Sequence, residues 1–360
     1  MKIIFICTKS ITFNTFLKSQ ADYFTKKGLK VEVACSDIES LNFKYKKHRI
    51  SFPNKILDLF NFTIYFKVYN EIKNLIIKNY STIFYLHTPV ASHFFRLFTF
   101  FDKLKLIYFV HGFRFTSKTN PIKGFFFKSI EKILAYNTSI FITINNEDYQ
   151  FAKLKLLKNI PVHKIKGVGL NLSEKHFTEK IKKKEKIKKI LVIAAFKKEK
   201  GYLDILKVAE LIKNQKMVIE CYGYGNYDYF NSIKIKRKLK NVSFRKFDKN
   251  LNKKIKNFDL LLHLSKREGL PVAVMQCLSE GLPVICHDIR GNNDLVTDKL
   301  NGYFVNSYKE ASNRIIYLNL NRKIYDKMRY NAFKSINKDY LKNHINFNFY
   351  KIIKNYSKYN

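Results

Sequence analysis

Tryptophan is absent from this 360-residue chain, and backbone punctuation is scarce, with 12 glycines and 6 prolines. Places where those residues cluster therefore carry weight. Cysteine is thin as well: Cys7, Cys35, Cys221, Cys277 and Cys286 form no CxxC pair, are odd in number, and several end apolar runs such as IFIC and VEVAC. That pattern reads as buried free thiols in a reducing cytoplasm rather than as a disulfide framework. No long apolar run is uninterrupted. The most apolar window, HFFRLFTFFDKLKLIYFV (His93–Val110), is broken by Arg96, Asp102, Lys103 and Lys105, whereas a spanning helix needs ~20 largely uncharged residues. Met1 leads directly into a strand pattern, so no signal peptide is expected. A soluble or membrane-surface protein of the cytoplasm is expected. Acidic residues are few: 28 Asp+Glu stand against 68 Lys+Arg, a formal charge of +40. Such an excess favours polyanionic partners, namely nucleic acid, an anionic membrane face or a phosphorylated substrate. Abundant Lys, Asn, Ile, Phe and Tyr are also what an AT-rich coding sequence produces, so composition alone does not choose. Nucleic acid is not expected, because the charge is dispersed and no helix-turn-helix, zinc-finger or RNP pattern occurs.

What is present is hydrophobic residue in quantity, 46% of the chain, enough for the cores of two domains. Strand-like runs alternate with helix-length segments. KIIFIC (Lys2–Cys7), KVEVAC (Lys30–Cys35), TIFYL (Thr82–Leu86), LIYFV (Leu106–Val110) and IFITI (Ile140–Ile144) are separated by helical spacing over Thr15–Lys27, Ile64–Lys78 and Phe125–Ala135. A charge run, EKIKKKEKIKK (Glu179–Lys189), then interrupts, and the alternation restarts with KILVIAA, a helix over Leu203–Lys213, MVIECYGYG, DLLLHLS and PVICH. From about Asn321 the chain reads as a long helical segment rich in Lys and Tyr. This pattern predicts an α/β protein with parallel, doubly wound sheets. The expected divisions are 1–178, a linker at 179–189, a second domain at 190–335, and a helical segment at 336–360 that packs back on the first domain.

The scarce residues gather in KREGLPVAVMQCLSEGLPVICHDIRGNNDLV (Lys266–Val296), where Gly-Leu-Pro-Val occurs twice. Pro271 is placed to open a helix at its first position. Gly281 closes it in a left-handed conformation and Pro283 bars its continuation. The free amides at the start of that helix, beside Gly269, are a place where a phosphate could sit.

These residues resemble the carboxyl-terminal signature of family 4 retaining glycosyltransferases, which have the GT-B fold: two Rossmann-like domains facing across a cleft. HTPVAS (His87–Ser92), HGFRF (His111–Phe115), ITINNEDY (Ile142–Tyr149), GVGLNLSEKHF (Gly167–Phe177), KKEKG (Lys197–Gly201), YGYGN (Tyr222–Asn226) and VSFRKF (Val242–Phe247) resemble further landmarks of the family, in order. The resemblance implies transfer of a sugar from a nucleotide diphosphate, most commonly UDP, to a lipid-linked or saccharide acceptor in capsule, exopolysaccharide or lipopolysaccharide assembly. It implies Glu268 and His111 as catalytic residues. Lys200, Gly269, Leu270, Pro271, Gln276, Gly223 and Gly225 are implied on the donor. No cofactor and no metal is implied, and the Asp-x-Asp motif of metal-dependent GT-A enzymes is absent. Two departures stand out. The family's second glutamate is Gln276 here, which keeps an acceptor oxygen for a ribose but loses charge assistance. A family arginine is replaced by Ala195. Gly223 and Gly225 read equally as backbone approach to the nucleotide or as a tight turn.

Two rival readings remain. Gln276 is compatible with a catalytically degenerate scaffold on the same fold, and the charge with a basic nucleic-acid-binding protein. KGFFFKSIEKILAY (Lys123–Tyr136) and HFFRLFTFFDKLK read either as an interfacial patch on an anionic leaflet or as core phenylalanines flanked by lysines.

Overall fold

The computed structural model describes residues 1–42, 44–53, 61–178 and 184–359. They form two compact units, the first comprising Met1–Gly169 with Lys342–Asn360, the second Leu170–Leu341. Part of the charge run, 179–183, lies outside the described residues.

The first unit is built on β1 (Lys2–Ile6), β2 (Lys30–Cys35), β3 (Lys47–Arg49), β4 (Ile83–His87), β5 (Lys105–Val110), β6 (Ile140–Thr143) and β7 (Val162–Lys164). All ladders are parallel, in the order β3-β2-β1-β4-β5-β6-β7. Ile3 stands opposite both Val31 and Ile83, so β1 is central, and Ile3–Ile6 are fully buried. This is why the run is apolar without alternation: helices cover both faces of a parallel sheet. The short strands KHR, VHK and GYF carry no such run, and their sequences do not announce them.

The second unit repeats the plan with β8 (Lys189–Ile193), β9 (Val218–Gly223), β10 (Val242–Lys246), β11 (Leu260–His263), β12 (Val284–Cys286) and β13 (Gly302–Phe304), in the order β10-β9-β8-β11-β12-β13. Asp259 fastens the start of β11 to β8. Its carboxylate accepts from the amides of Lys188 and Lys189 at 2.8 Å and from Lys184 Nζ at 2.8 Å, and its carbonyl accepts from the Tyr325 hydroxyl at 2.9 Å.

The helical segment expected from about Asn321 consists of two helices, Arg322–Ser335 and Lys342–Tyr359. Ile336 is extended, and Asn337 accepts from the Asp339 amide to cap a separate short turn, an Asx device that competes with helix continuation. Lys342–Tyr359 belongs to the first unit. Asn346 donates to Ser19, and the Phe349 ring lies 4.9 Å from that of Phe109 and 6.3 Å from that of Tyr85.

All five cysteines are buried and free. Among the described residues no helix is long and apolar enough to cross a membrane. Arg96, one of the charges that interrupts the apolar window, is wholly buried on the helix Pro89–Phe98. Its guanidinium donates to Glu131 of the helix Pro121–Ala135 at 2.7 Å and lies 4.4 Å from the centre of the Tyr108 ring, while His93 meets the other Glu131 oxygen at 2.7 Å. Burial alone would raise the Glu131 carboxyl, but Arg96 and His93 bring it down to about 2 from 4.5. The stabilisation from its ionised form is therefore complete above pH 4.5 and disappears as pH falls towards 2. Arg96→Leu, which strands the Glu131 charge, is expected to cost about 3–5 kcal/mol in urea unfolding, and Arg96→Met combined with Glu131→Leu far less.

Candidate functional site

In both sheets the strand order reverses beside the first strand, between β1 and β4 and between β8 and β11. At such a reversal the loops leaving the carboxyl ends of neighbouring strands run in opposite directions, the usual ligand position of a doubly wound sheet.

In the second unit the loops after β8 and β11 bring Lys200 and Glu268 together. The Lys266 amide donates to the Glu199 carbonyl at 2.9 Å. Gly201, at φ +79°, lets the two backbones approach, since a Cβ there would lie 2.1 Å from the Leu264 carbonyl oxygen. Lys200 Nζ then reaches Glu268 Oε1 at 2.6 Å and the Arg267 carbonyl at 3.4 Å. His263, buried at the end of β11, places Nε2 3.3 Å from the same carboxylate oxygen. Burial pushes the Glu268 carboxyl up, but the contact with His263 and then the Lys200 ammonium bring it to about 2.

Glu268 leads into Gly269, Leu270 and Pro271. The Leu270 side chain is buried. Pro271 is the residue before the helix Val272–Ser279 rather than its first residue, with extended backbone at φ −73°, ψ 113°, and no side chain caps the helix. Its carbonyl takes the first helical bonds, from Val274 and Met275. A helix start without a side-chain acceptor leaves amides for another oxygen. At the far end Gly281 is left-handed at φ +71°, and the Leu282 amide returns to the Cys277 carbonyl at 2.9 Å, as the sequence led one to expect. The loop after β12 braces the start: Arg290 Nε donates to the Glu268 carbonyl at 3.0 Å, and a Cβ on Gly291 would lie 2.3 Å from the Gly269 carbonyl oxygen.

Not every expected residue joins this cluster. Gln276 lies one turn into the helix, about 6 Å along its axis. There it donates to Asn252 Oδ1 at 2.9 Å and lines a small recess with Leu170, Asn171, Leu172, Ile255 and Glu280. Gly223 ends β9, where a Cβ would lie 1.9 Å from the Ala194 carbonyl oxygen, so its glycine has a reason internal to the fold. Gly225 follows at φ +98°, next to Tyr224, whose half-exposed ring stacks on Phe247 at 4.0 Å. The sequence reading missed His263 and Arg290. His263 sits inside an apolar strand run, and Arg290 acts through a backbone carbonyl, a contact that residue type does not signal.

His111, in the first unit, follows β5 at that sheet's carboxyl edge. Its Nε2 lies 3.2 Å from Nδ1 of His87, the last residue of β4. Desolvation holds His87 well below its ordinary value and His111 at about 4, so both are neutral near pH 7. His87 is enclosed by the rings of Phe5, Tyr85 and Phe109, and its Nε2 has no partner among the described residues. A buried N–H without an acceptor costs more than a bare lone pair. The His87 proton therefore sits on Nδ1 and is donated to His111 Nε2, which fixes the His111 proton on Nδ1. Thr88, beside this pair, holds a left-handed φ of 65°, and its hydroxyl meets Thr8 Oγ1 at 2.7 Å, joining the loops after β1 and β4. Non-glycine residues in this region are strained by about 1–3 kcal/mol.

Among the described residues no group of three or more His, Cys, Asp or Glu side chains is placed to hold a metal. Chemically, the second unit sets one ammonium and an uncapped helix start beside a carboxylate that stays ionised over the physiological range. The first unit offers neutral hydroxyl and imidazole groups. Nitrogen-resolved NMR should find His111 neutral and protonated on Nδ1 down to about pH 5, with titration near 4. Because unfolded histidine protonates near 6.5, the first unit should lose stability progressively as pH falls from 6.5 to 4.

Comparisons with known proteins agree with this architecture. The family model described as glycosyl transferases group 1 matches residues 173–335, and that of glycosyl transferase 4-like matches residues 2–145. A Bacillus subtilis protein, EpsD, which carries a provisional glycosyltransferase name, is 26% identical over 321 residues, covering 84% of this chain and 83% of its own. The Escherichia coli UDP-Gal:alpha-D-GlcNAc-diphosphoundecaprenol alpha-1,3-galactosyltransferase is 26% identical over 220 residues, 56% of each chain. The crystal structure of Anabaena HepE in complex with UDP and glucose superposes with a TM-score of 0.73 at 14% identity, over 99% of this chain and 100% of that one. Built on two parallel α/β units of the GT-B type, and matched by glycosyltransferase models over most of its length, the chain belongs to the glycosyltransferases.

Proposed function

We propose that the chain is a retaining, metal-independent family 4 enzyme that moves a sugar from a nucleotide diphosphate, with UDP the preferred nucleotide, to a lipid-linked or saccharide acceptor in surface-polysaccharide assembly. The observation that carries this reading is the Lys200–Glu268 pair at the switch point of the second sheet, beside a helix start with no side-chain cap. A departing nucleotide diphosphate develops negative charge on its outer phosphate. The amides of Gly269 and Leu270, those of Val272 and Ala273 just after Pro271, and the Lys200 ammonium are suited to meet it. In the free chain Lys200 is paired with Glu268, so an arriving phosphate shares the ammonium with the carboxylate.

Glu268, held ionised, takes sugar hydroxyls and stabilises the positive charge that develops at the anomeric carbon. The bond from that carbon to the leaving phosphate breaks as the acceptor oxygen bonds on the same face, and the acceptor's proton passes to the phosphate. Gln276 holds a ribose hydroxyl through its amide oxygen. Gly223 and Gly225 shape the strand end near which the ribose or base would lie, and the Tyr224–Phe247 stack gives that edge an apolar surface. In the first unit His111, with its proton on Nδ1, is a hydrogen-bond donor to a sugar oxygen. The UDP donor is supported by the UDP-named E. coli relative and by the UDP-bound HepE structure, and the lipid acceptor by the diphosphoundecaprenol in the same E. coli name.

A second reading, a non-catalytic scaffold, is favoured by Gln276 and by Ala195 where the family has an arginine. Turnover against a panel of nucleotide sugars with a polyprenyl-diphosphate acceptor separates the two, and the anomeric configuration of the product tests retention. Nucleotide binding with no transfer from any donor would favour the scaffold. Glu268→Gln is expected to lower kcat about a hundredfold or more with the fold intact. Gln276→Glu is expected to tighten UDP binding about fivefold in calorimetry, by restoring charge assistance to the ribose contact. Unchanged affinity would remove Gln276 from the nucleotide site.

A further inference from the structure

The helix Pro121–Ala135 is apolar on two faces. Its inner face is accounted for: Gly124, Glu131, Leu134 and Ala135 are buried, with Glu131 held by Arg96 and His93. Its outer face is not. Ile122 is 81% exposed, Phe125 75%, Phe126 59% and Ile133 57%, and Tyr136 at the helix end is 71% exposed. At 3.6 residues per turn these five positions fall within roughly 100° of arc. Exposed Lys128 and Lys132 border that arc on one side and exposed Lys123 on the other. The single carboxylate of the helix, Glu131, is the buried one. On the adjoining helix Leu97 is 53% exposed, and Phe101 just beyond it 92%.

A soluble surface does not ordinarily present a stripe of this kind, two phenylalanines and two isoleucines in register without a carboxylate among them. The combination of an apolar stripe, lysines on both borders and an aromatic hydroxyl at the end matches the boundary between acyl chains and anionic headgroups. The phenylalanines and isoleucines enter the acyl boundary, and the lysine stems run alongside with their ammonium groups at the phosphates. The core-facing side needs no rearrangement, because the buried Arg96–Glu131 pair already fixes the helix on the first unit.

We infer that the outer face of the helix Pro121–Ala135 is a docking surface for an anionic lipid bilayer, with Ile122, Phe125, Phe126 and Ile133 as the inserted residues and Lys123, Lys128 and Lys132 as the headgroup contacts. The surface is defined without the transfer chemistry. A chain that binds vesicles but transfers no sugar keeps this inference and loses the enzymatic reading, and the reverse holds as well.

The test is co-sedimentation of the full chain with vesicles of phosphatidylcholine alone or mixed with phosphatidylglycerol. Binding is expected to the mixed vesicles, to weaken as salt rises, and to be poor on phosphatidylcholine alone. Phe125→Ser with Phe126→Ser should abolish it, and Lys123→Glu with Lys132→Glu should weaken it about tenfold or more. Circular dichroism and UDP binding should match the parent in both cases, since none of these side chains is buried. Vesicle binding retained by the phenylalanine variant would overturn the inference. So would a parent chain that ignores mixed vesicles and instead self-associates through this face, becoming monomeric on the same substitutions.

Discussion

The hydrogen bond from the Lys266 amide to the Glu199 carbonyl, and the backbone approach that Gly201 permits against Leu264, are what everything at the second unit's switch point rests on. They draw together two loops that leave neighbouring strands in opposite directions. Without that seam, a lysine following β8 and a glutamate following β11 would be two solvated charges 68 positions apart in sequence. With it they share one partly buried ion pair, and the glutamate stays ionised despite its burial because His263 and Lys200 together outweigh desolvation. The same seam sets the position of the Gly269–Pro271 turn, and so of the helix mouth, relative to the ammonium.

The two sheets use one topology to opposite electrostatic ends. At the second switch point the groups are charged: a lysine, a glutamate, and an arginine anchored on the Glu268 carbonyl. At the first they are hydroxyls and two neutral imidazoles walled by aromatic rings. Under the proposed function the former meets the donor phosphate and the latter an uncharged, hydroxyl-bearing group. Fold alone dictates neither, because strand order is common to both and only the residues at the strand ends differ.

The sequence disclosed most where burial is symmetrical. Runs such as KIIFIC and DLLLHLS have no polar alternation, which only strands covered on both faces tolerate, and they located the central strands to within a residue or two. Edge strands were invisible, since KHR and VHK are half-buried at best and owe their conformation to neighbours. The helix at Asn146 was passed over, although Asn145 accepts from the Asp148 amide and Glu147 and Asp148 occupy its first turn, a start signal hidden inside a segment quoted for its resemblance. Glu268, Lys200 and Pro271 could be named because a scarce-residue motif marks them. His263 could not, because an apolar strand disguises it, nor His87, whose influence passes through another ring. Arg96 looked like a charge that spoils an apolar window and is instead a fully buried ion-pair partner.

The first unit is discontinuous: its last helix, Lys342–Tyr359, is separated from the rest by the whole of the second unit. Phe349 lies against Tyr85 and Phe109, and Tyr350 against Tyr23 and Phe24, so that wall of the first core stands open until this helix is in place. During synthesis on the ribosome the amino-terminal sheet would emerge first, yet its core could close only after the whole second unit had been made.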